Sequence, residues 1–194
     1  MARKRKGMVL IMSKVVVFLA DGHEECEALI PADLLRRAGV EVVLASITGS
    51  LQVTGSHGIH VTADALAEEV TYADTDLLFL PGGLPGTTHL GESMLVKEKV
   101  LEFAAKGKKV AAICAAPSVL GGLGLLDGRN ATSHPGFEDK LGGANVTGHA
   151  YDVDGNITTG RGLGAAIPFG LSLVAQLAGQ EAADKIASAI AYNG

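Results

Sequence analysis

Lys109-Val110-Ala111-Ala112-Ile113-Cys114-Ala115-Ala116-Pro117-Ser118 is an apolar run that stops at a thiol and resumes as small residues ahead of a helical pattern. An uninterrupted apolar segment of this length predicts a strand buried on both faces. Proline just beyond it suits the first turn of a helix. The stretch therefore reads as a sharp strand-to-helix turn that presents Cys114 at the carboxyl edge of a sheet. Small side chains on both sides let the backbone turn tightly, and a helix N-terminus beyond the thiol favours thiolate over thiol. A buried core cysteine is the alternative reading of the same residues.

The segments on either side fit a sheet of the same kind. Residues 14–19, Lys-Val-Val-Val-Phe-Leu, form a second continuous apolar run and predict a central strand. Residues 24–38 carry Leu29, Leu34, Leu35 and Ala38 at helical spacing and close at Gly39, with Pro31 as a kink or a late start. Residues 40–45 predict a strand, 59–62 a short alternating one, and 76–80 another buried one that runs into Pro81-Gly82-Gly83. Residues 93–106 predict an amphipathic helix with Leu95, Val96, Val100, Leu101 and Ala104 facing inward. Segments 146–151 and 156–159 flank the hairpin signal Asp154-Gly155, and two helices over 165–178 and 181–191 close the chain around Gly179. Strands alternating with helices give an α/β fold, a mostly parallel sheet covered on both faces.

At 194 residues the chain fits one domain, and 47% apolar residues supply a full core. The net charge of −5 conceals an asymmetry, because Arg3, Lys4, Arg5 and Lys6 hold four of the sixteen basic residues. Twelve basic against twenty-one acidic side chains remain, a body of −9 that disfavours nucleic acid as a partner. Residues 1–12 read as a disordered extension ahead of a domain over 13–194; their apolar part, residues 8–12, is too short for a secretory core. No segment approaches the ~20 apolar residues of a membrane helix. Two cysteines, Cys26 and Cys114, make no disulfide framework and fit a reducing cytoplasm. No Cys-x-x-Cys and no helical His pair points to a metal.

Three other places belong beside Cys114. Gly82-Gly83 follows a buried strand, so its N–H groups can face an oxyanion at the sheet edge; a plain glycine turn is the alternative. Glu24-Glu25-Cys26-Glu27 follows the first strand, where its carboxyls either reach the same edge or form a solvated helix start. Carboxylates at that turn would repel the pyrophosphate of a dinucleotide. His134, in Ser133-His-Pro-Gly136, lies on a loop, where a histidine is free to serve chemistry. Gly160-Arg-Gly-Leu-Gly164 departs from Gly-x-Gly-x-x-Gly and reads as a tight approach to a closing helix.

Taken together, Ala20-Asp-Gly-His-Glu-Glu-Cys-Glu-Ala-Leu-Ile-Pro31, Leu80-Pro-Gly-Gly83, Ala111-Ala-Ile-Cys-Ala-Ala-Pro117, Ser133-His-Pro135 and Gly160-Arg-Gly-Leu-Gly164 resemble the ThiJ/PfpI superfamily, in the branch of the Parkinsonism-associated deglycase. The resemblance implies a flavodoxin-like three-layer sandwich, a homodimer, and Cys114 as nucleophile. It implies Glu27, four residues before Pro31, as a protonated carboxyl bonded to the thiolate, Gly83 and Ala115 N–H groups as oxyanion hole, and His134 in proton transfer. It further implies cofactor-independent glyoxalase or deglycase chemistry on small reactive carbonyls or glycated adducts. A stress sensor or chaperone acting through Cys114 oxidation is the alternative, with thiazole-phosphate or peptidase chemistry behind it. Two departures stand out. Ala115, not His, follows the cysteine, against a peptidase; and His57 and Leu163 stand where the branch has an Arg and a Pro.

Overall fold

The computed structural model describes residues 13–194; the extension expected over residues 1–12 lies outside the described residues. Along the chain run β1 (Lys14–Leu19), α1 (Glu25–Arg37), β2 (Glu41–Ser46), β3 (Gln52–Thr54), β4 (His60–Thr62), β5 (Ala65–Leu66), β6 (Leu77–Leu80), α2 (Gly86–Glu92) and α3 (Met94–Ala105). Then follow β7 (Lys109–Ile113), α4 (Pro117–Gly122), β8 (Asn130–Ala131), β9 (Asn145–Val146), β10 (Tyr151–Asp154), β11 (Ile157–Gly160), α5 (Ala166–Ala178) and α6 (Gln180–Ala189).

Seven strands form one sheet in the order β10-β11-β7-β6-β1-β2-β5, parallel except for the β10–β11 hairpin. This is the flavodoxin-like α/β sandwich that the sequence predicts. Alternation along the central strands feeds two cores. Val15, Val17, Leu19, Leu77, Phe79 and Ile113 face one way and meet α1, α5 and α6. Val16, Phe18, Leu78, Leu80, Val110 and Ala112 face the other way and meet α2, α3 and α4. Runs that must satisfy both layers cannot alternate with polar residues, which is why these strands read as continuous apolar blocks.

Order of the strands fixes where a site can form. From β1 the chain winds outward to β2 on one side and returns to β6 on the other, so the connections diverge between β1 and β6. Such a divergence opens a crevice at the carboxyl ends of the strands. The segments after β1, β6, β7 and β11 all emerge there, and they carry Glu27, Gly82, Cys114 and Arg161.

Several local expectations are corrected. Leu101 does not face the core; it is 43% exposed, and Phe103 is buried in α3 instead. The short alternating strand expected over residues 59–62 is present as β4, which pairs with β3 as a separate two-stranded ribbon. Pro31 sits within α1 rather than at its start. Helix α2 and the short β8–β9 pair have little apolar periodicity, and the sequence pattern did not predict them. Among the described residues no helix is long and apolar enough to cross a membrane.

Phe169 of α5 connects the core to the sheet edge. Its ring packs 5.5 Å from that of Phe79, and it leaves no room for a side chain at Gly160, where a Cβ would come within 2.7 Å of it. Gly160 in turn accepts the Cys114 N–H at 2.9 Å. Phe169→Ala is expected to cost about 3–5 kcal/mol, read from urea unfolding; a loss below about 1 kcal/mol would show that this ring does not hold the layer together.

Candidate active site

Cys114 closes β7 with φ +66°, one of two non-glycine residues in the described chain at positive φ. A left-handed conformation at a residue with a side chain costs of order 1–3 kcal/mol and persists only where its surroundings fix it. Here they do. Its N–H donates to Gly160 O at 2.9 Å, its carbonyl accepts from His134 N–H at 2.8 Å, and α4 starts three residues later. The strained elbow read from the sequence is therefore present, and its half-buried sulfur faces a cleft of about 610 Å³.

Gly82 and Gly83 make room for it. A Cβ on Gly82 would lie 2.5 Å from both Cys114 Cβ and Glu27 Oε2, and Gly83 has φ +91°. Glycine is required at the first by contact and at the second by backbone conformation. The N–H groups of Gly83 and Ala115 are directed at the sulfur and favour its anion.

The acidic cluster is not a solvated helix start. Glu24, Glu25 and Glu27 are 9%, 2% and 1% exposed, while Cys26 between them is exposed. Each carboxylate has a separate place. Glu24 caps α1, Oε2 accepting the Glu27 N–H at 2.5 Å. Glu25 ties α1 to the β3–β4 ribbon, accepting His57 N–H at 2.8 Å, Ile59 N–H at 3.3 Å and the His57 ring at 3.0 Å. Burial pushes Glu25 up, but these bonds and its own N–H outweigh that and hold it at about 2. The ion pair also raises His57.

Glu27 points at Cys114. Burial pushes its carboxyl up to about 7, with the Glu24 charge adding to the rise and Cys114, Gly82 N–H and His134 opposing it. Oε2 has no hydrogen bond of regular geometry, so an ionised Glu27 would be buried and under-satisfied. The thiol is pushed up to about 12 by burial and then by the adjacent Glu27 charge, against the pull of Ala115 and Gly83. This corrects the expectation of a thiol simply activated by a helix N-terminus: α4 is six residues long, and burial with a neighbouring carboxylate outweighs it. Both acids cannot ionise together, so the pair keeps one proton through the neutral range. Gly83 and Ala115 N–H groups serve the sulfur and Gly82 N–H serves the carboxyl, so the one proton of the pair lies between two groups that each have backbone donors.

His134 lines the same cleft, exposed, with Nδ1 donating to Pro135 O at 2.9 Å. That bond engages Nδ1 and leaves Nε2 without a partner in the cleft. Glu24, His57, Arg161, Gly162 and Leu163 also line the cleft. Sequence reading singled out Cys114, Glu27, Gly83, Ala115 and His134, and the fold brings all five to one place. It passed over Arg161, whose only local signal was its glycine neighbours. Cys26 lies outside the cleft lining; burial and then Glu24, Glu25 and Glu27 raise its thiol. Both thiols are thus shifted upward.

Metal-ligating geometry occurs once among the described residues, at Glu24, Glu25 and His57, whose ligand atoms lie within 4.8 Å of one another. Their donors are already engaged in the helix cap and in the Glu25–His57 pair.

The family model described as DJ-1/PfpI matches residues 13–176. The chain belongs to the DJ-1/PfpI family. It is 38% identical over 191 residues to protein dj-1beta of Drosophila melanogaster, covering 94% of this chain and 100% of that one. It is 37% identical over 154 residues to a deglycase of Pyrococcus abyssi, covering 76% and 89%. Against DJ-1 homolog A of Arabidopsis thaliana, 38% identical, the alignment takes in 93% of this chain, which spans only 47% of that longer relative. The crystal structure of oxidized DJ-1 from Toxoplasma gondii superposes with TM-score 0.90 at 38% identity, over 94% of this chain and all of that one.

The buried Glu27 predicts a pH-dependent stability of definite sign. With its folded pKa raised from 4.5 to about 7, its contribution is complete below 4.5 and lost as pH rises through 7. Roughly 3 kcal/mol of unfolding free energy is expected to disappear across that window, and Glu27→Gln should flatten the loss. Urea unfolding at a series of pH values measures it; equal slopes for both proteins would contradict the assignment.

Proposed function

We propose that the protein is a cysteine-dependent enzyme of the cytoplasm that acts on reactive dicarbonyls, turning methylglyoxal into lactate or releasing the same group from early glycation adducts. The observation that carries this reading is the strained Cys114, its sulfur between two backbone donors and a Glu27 carboxyl pushed up to about 7, open to a cleft. A relative that bears the name deglycase supports an enzymatic role in the family.

The chemistry follows from what each group can hold. The Cys114 thiol passes its proton to the Glu27 carboxylate and the resulting thiolate attacks the aldehyde carbon, forming the C–S bond while the carbonyl electrons move to oxygen. Gly83 and Ala115 N–H groups are placed for that oxyanion, which takes up the Glu27 proton to give a hemithioacetal. His134 Nε2 or the Glu27 carboxylate then removes the proton from the former aldehyde carbon, and its return to the neighbouring carbon leaves a thioester. Water cleaves the thioester, releasing the 2-hydroxy acid and restoring the thiol. One dicarbonyl and one water become one hydroxyacid, with no external oxidant.

A second reading rests on the relative crystallised in its oxidized form. A thiolate held this way is also open to peroxide, giving sulfenate and then sulfinate, so Cys114 can serve as a redox sensor. A homodimer belongs with either reading: Leu51 and Ile59 at the β3–β4 ribbon are large apolar residues 44% and 53% exposed, and a second copy would cover them.

Lactate formation from methylglyoxal in metal-free buffer tests the proposal. Cys114→Ser is expected to keep the melting temperature within a few degrees and to lose more than about a thousandfold in kcat/KM. Comparable turnover by the folded variant would rule out covalent catalysis at this residue.

A further inference from the structure

Arg161 occupies the strand position beside the nucleophile. In the parallel β7–β11 pair Ile113 lies opposite Gly160, so the next step of the register puts Arg161 beside Cys114. Neighbouring strands run about 4.8 Å apart. Gly160 faces the α5 layer, where a Cβ would meet Phe169, and alternation sends Arg161 to the opposite side of the sheet. There its own N–H donates to Ala150 O at 2.9 Å and one guanidinium nitrogen donates to Gly148 O at 2.7 Å. The side chain is thereby fixed on the wall of the Cys114 cleft.

The rest of the guanidinium is uncommitted. Among the described residues Arg161 forms no ion pair, whereas Arg36, Arg37 and Arg129 each have a carboxylate partner. Glu138, an acid within reach of its charge, already accepts the Gly136 N–H at 2.5 Å. In a body with far more acidic than basic residues, an arginine fixed through one nitrogen and open at the others is placed to take an anion. The residue after it, Gly162, keeps the approach clear: a Cβ there would stand 4.0 Å from Cys114 Sγ and 3.5 Å from His134. The two carboxylates lining the cleft, Glu24 and Glu27, are directed into the α1 cap and toward the sulfur.

We propose that Arg161 makes this cleft selective for dicarbonyl substrates that also carry a carboxylate, gripping that group while Cys114 attacks the aldehyde. The proposal rests on the dicarbonyl reading above and names its substrate class. A chain of two or three carbons between aldehyde and carboxylate fits one step across adjacent strands. Conversion follows the same balance, dicarbonyl plus water to hydroxyacid, so 4,5-dioxopentanoate would give 2-hydroxyglutarate.

The test compares 4,5-dioxopentanoate with 2-oxopentanal, a neutral dicarbonyl of the same chain length. Wild type is expected to favour the charged substrate, and in Arg161→Met the ratio of the two kcat/KM values should fall about tenfold to a hundredfold, chiefly through KM. Arg161→Lys, which keeps the charge but loses the fork, should fall by less. If the variants fail to fold, wild type alone decides: added salt should raise KM for the charged substrate and leave that for the neutral one in place. Equal ratios in wild type and Arg161→Met, or a KM for the charged substrate that ignores salt, would overturn the role of Arg161. If neither compound is consumed in a Cys114-dependent way, the dicarbonyl reading fails and takes this inference with it.

Discussion

One proton shared between Cys114 and Glu27 governs the site. Two weak acids are pressed together in a half-buried place where neither can spread its charge into water, so ionising one keeps the other protonated. Backbone donors serve both groups. Gly83 and Ala115 N–H groups face the sulfur and Gly82 N–H faces the carboxyl, and the mechanism proposed above moves the proton from thiol to Glu27 as the sulfur attacks. In that proposed mechanism the sulfur is the nucleophile and Glu27 its proton partner.

The sheet makes that pairing possible. Glu27 comes from the helix after β1, Gly82 and Gly83 from the turn after β6, and Cys114 from the end of β7, three neighbouring strands at the divergence of the winding. Because the strands are buried on both faces, their ends are held firmly enough to impose a positive φ on a cysteine. A side chain at Gly82 would collide with both members of the pair, so the close approach depends on a missing Cβ as much as on the groups present.

Much of this was legible in the sequence because the same physical demands act on composition. Continuous apolar runs at residues 14–19, 76–80 and 109–113 announce strands covered on two sides, and glycines or a thiol at their ends announce tight turns at the sheet edge. Other features depend on contacts between distant segments. Nothing in Glu24-Glu25-Cys26-Glu27 tells which carboxylate is a cap, which binds the ribbon and which meets the thiol; that follows only when β3–β4 and Gly82 are in position. Leu101 fits the helical stripe as well as Phe103 does, and the larger ring takes the core place. Arg161 is silent in sequence, since its significance is its register beside Cys114.

Carbon-13 NMR of the Glu27 carboxyl, followed across the neutral range together with the ultraviolet thiolate band of Cys114, tests the shared proton most directly. A carboxyl still protonated well above its ordinary 4.5, and a single proton leaving the pair near 7 that both probes report, is the expected result. A Glu27 that titrates near 4.5 without any response at the sulfur would contradict it.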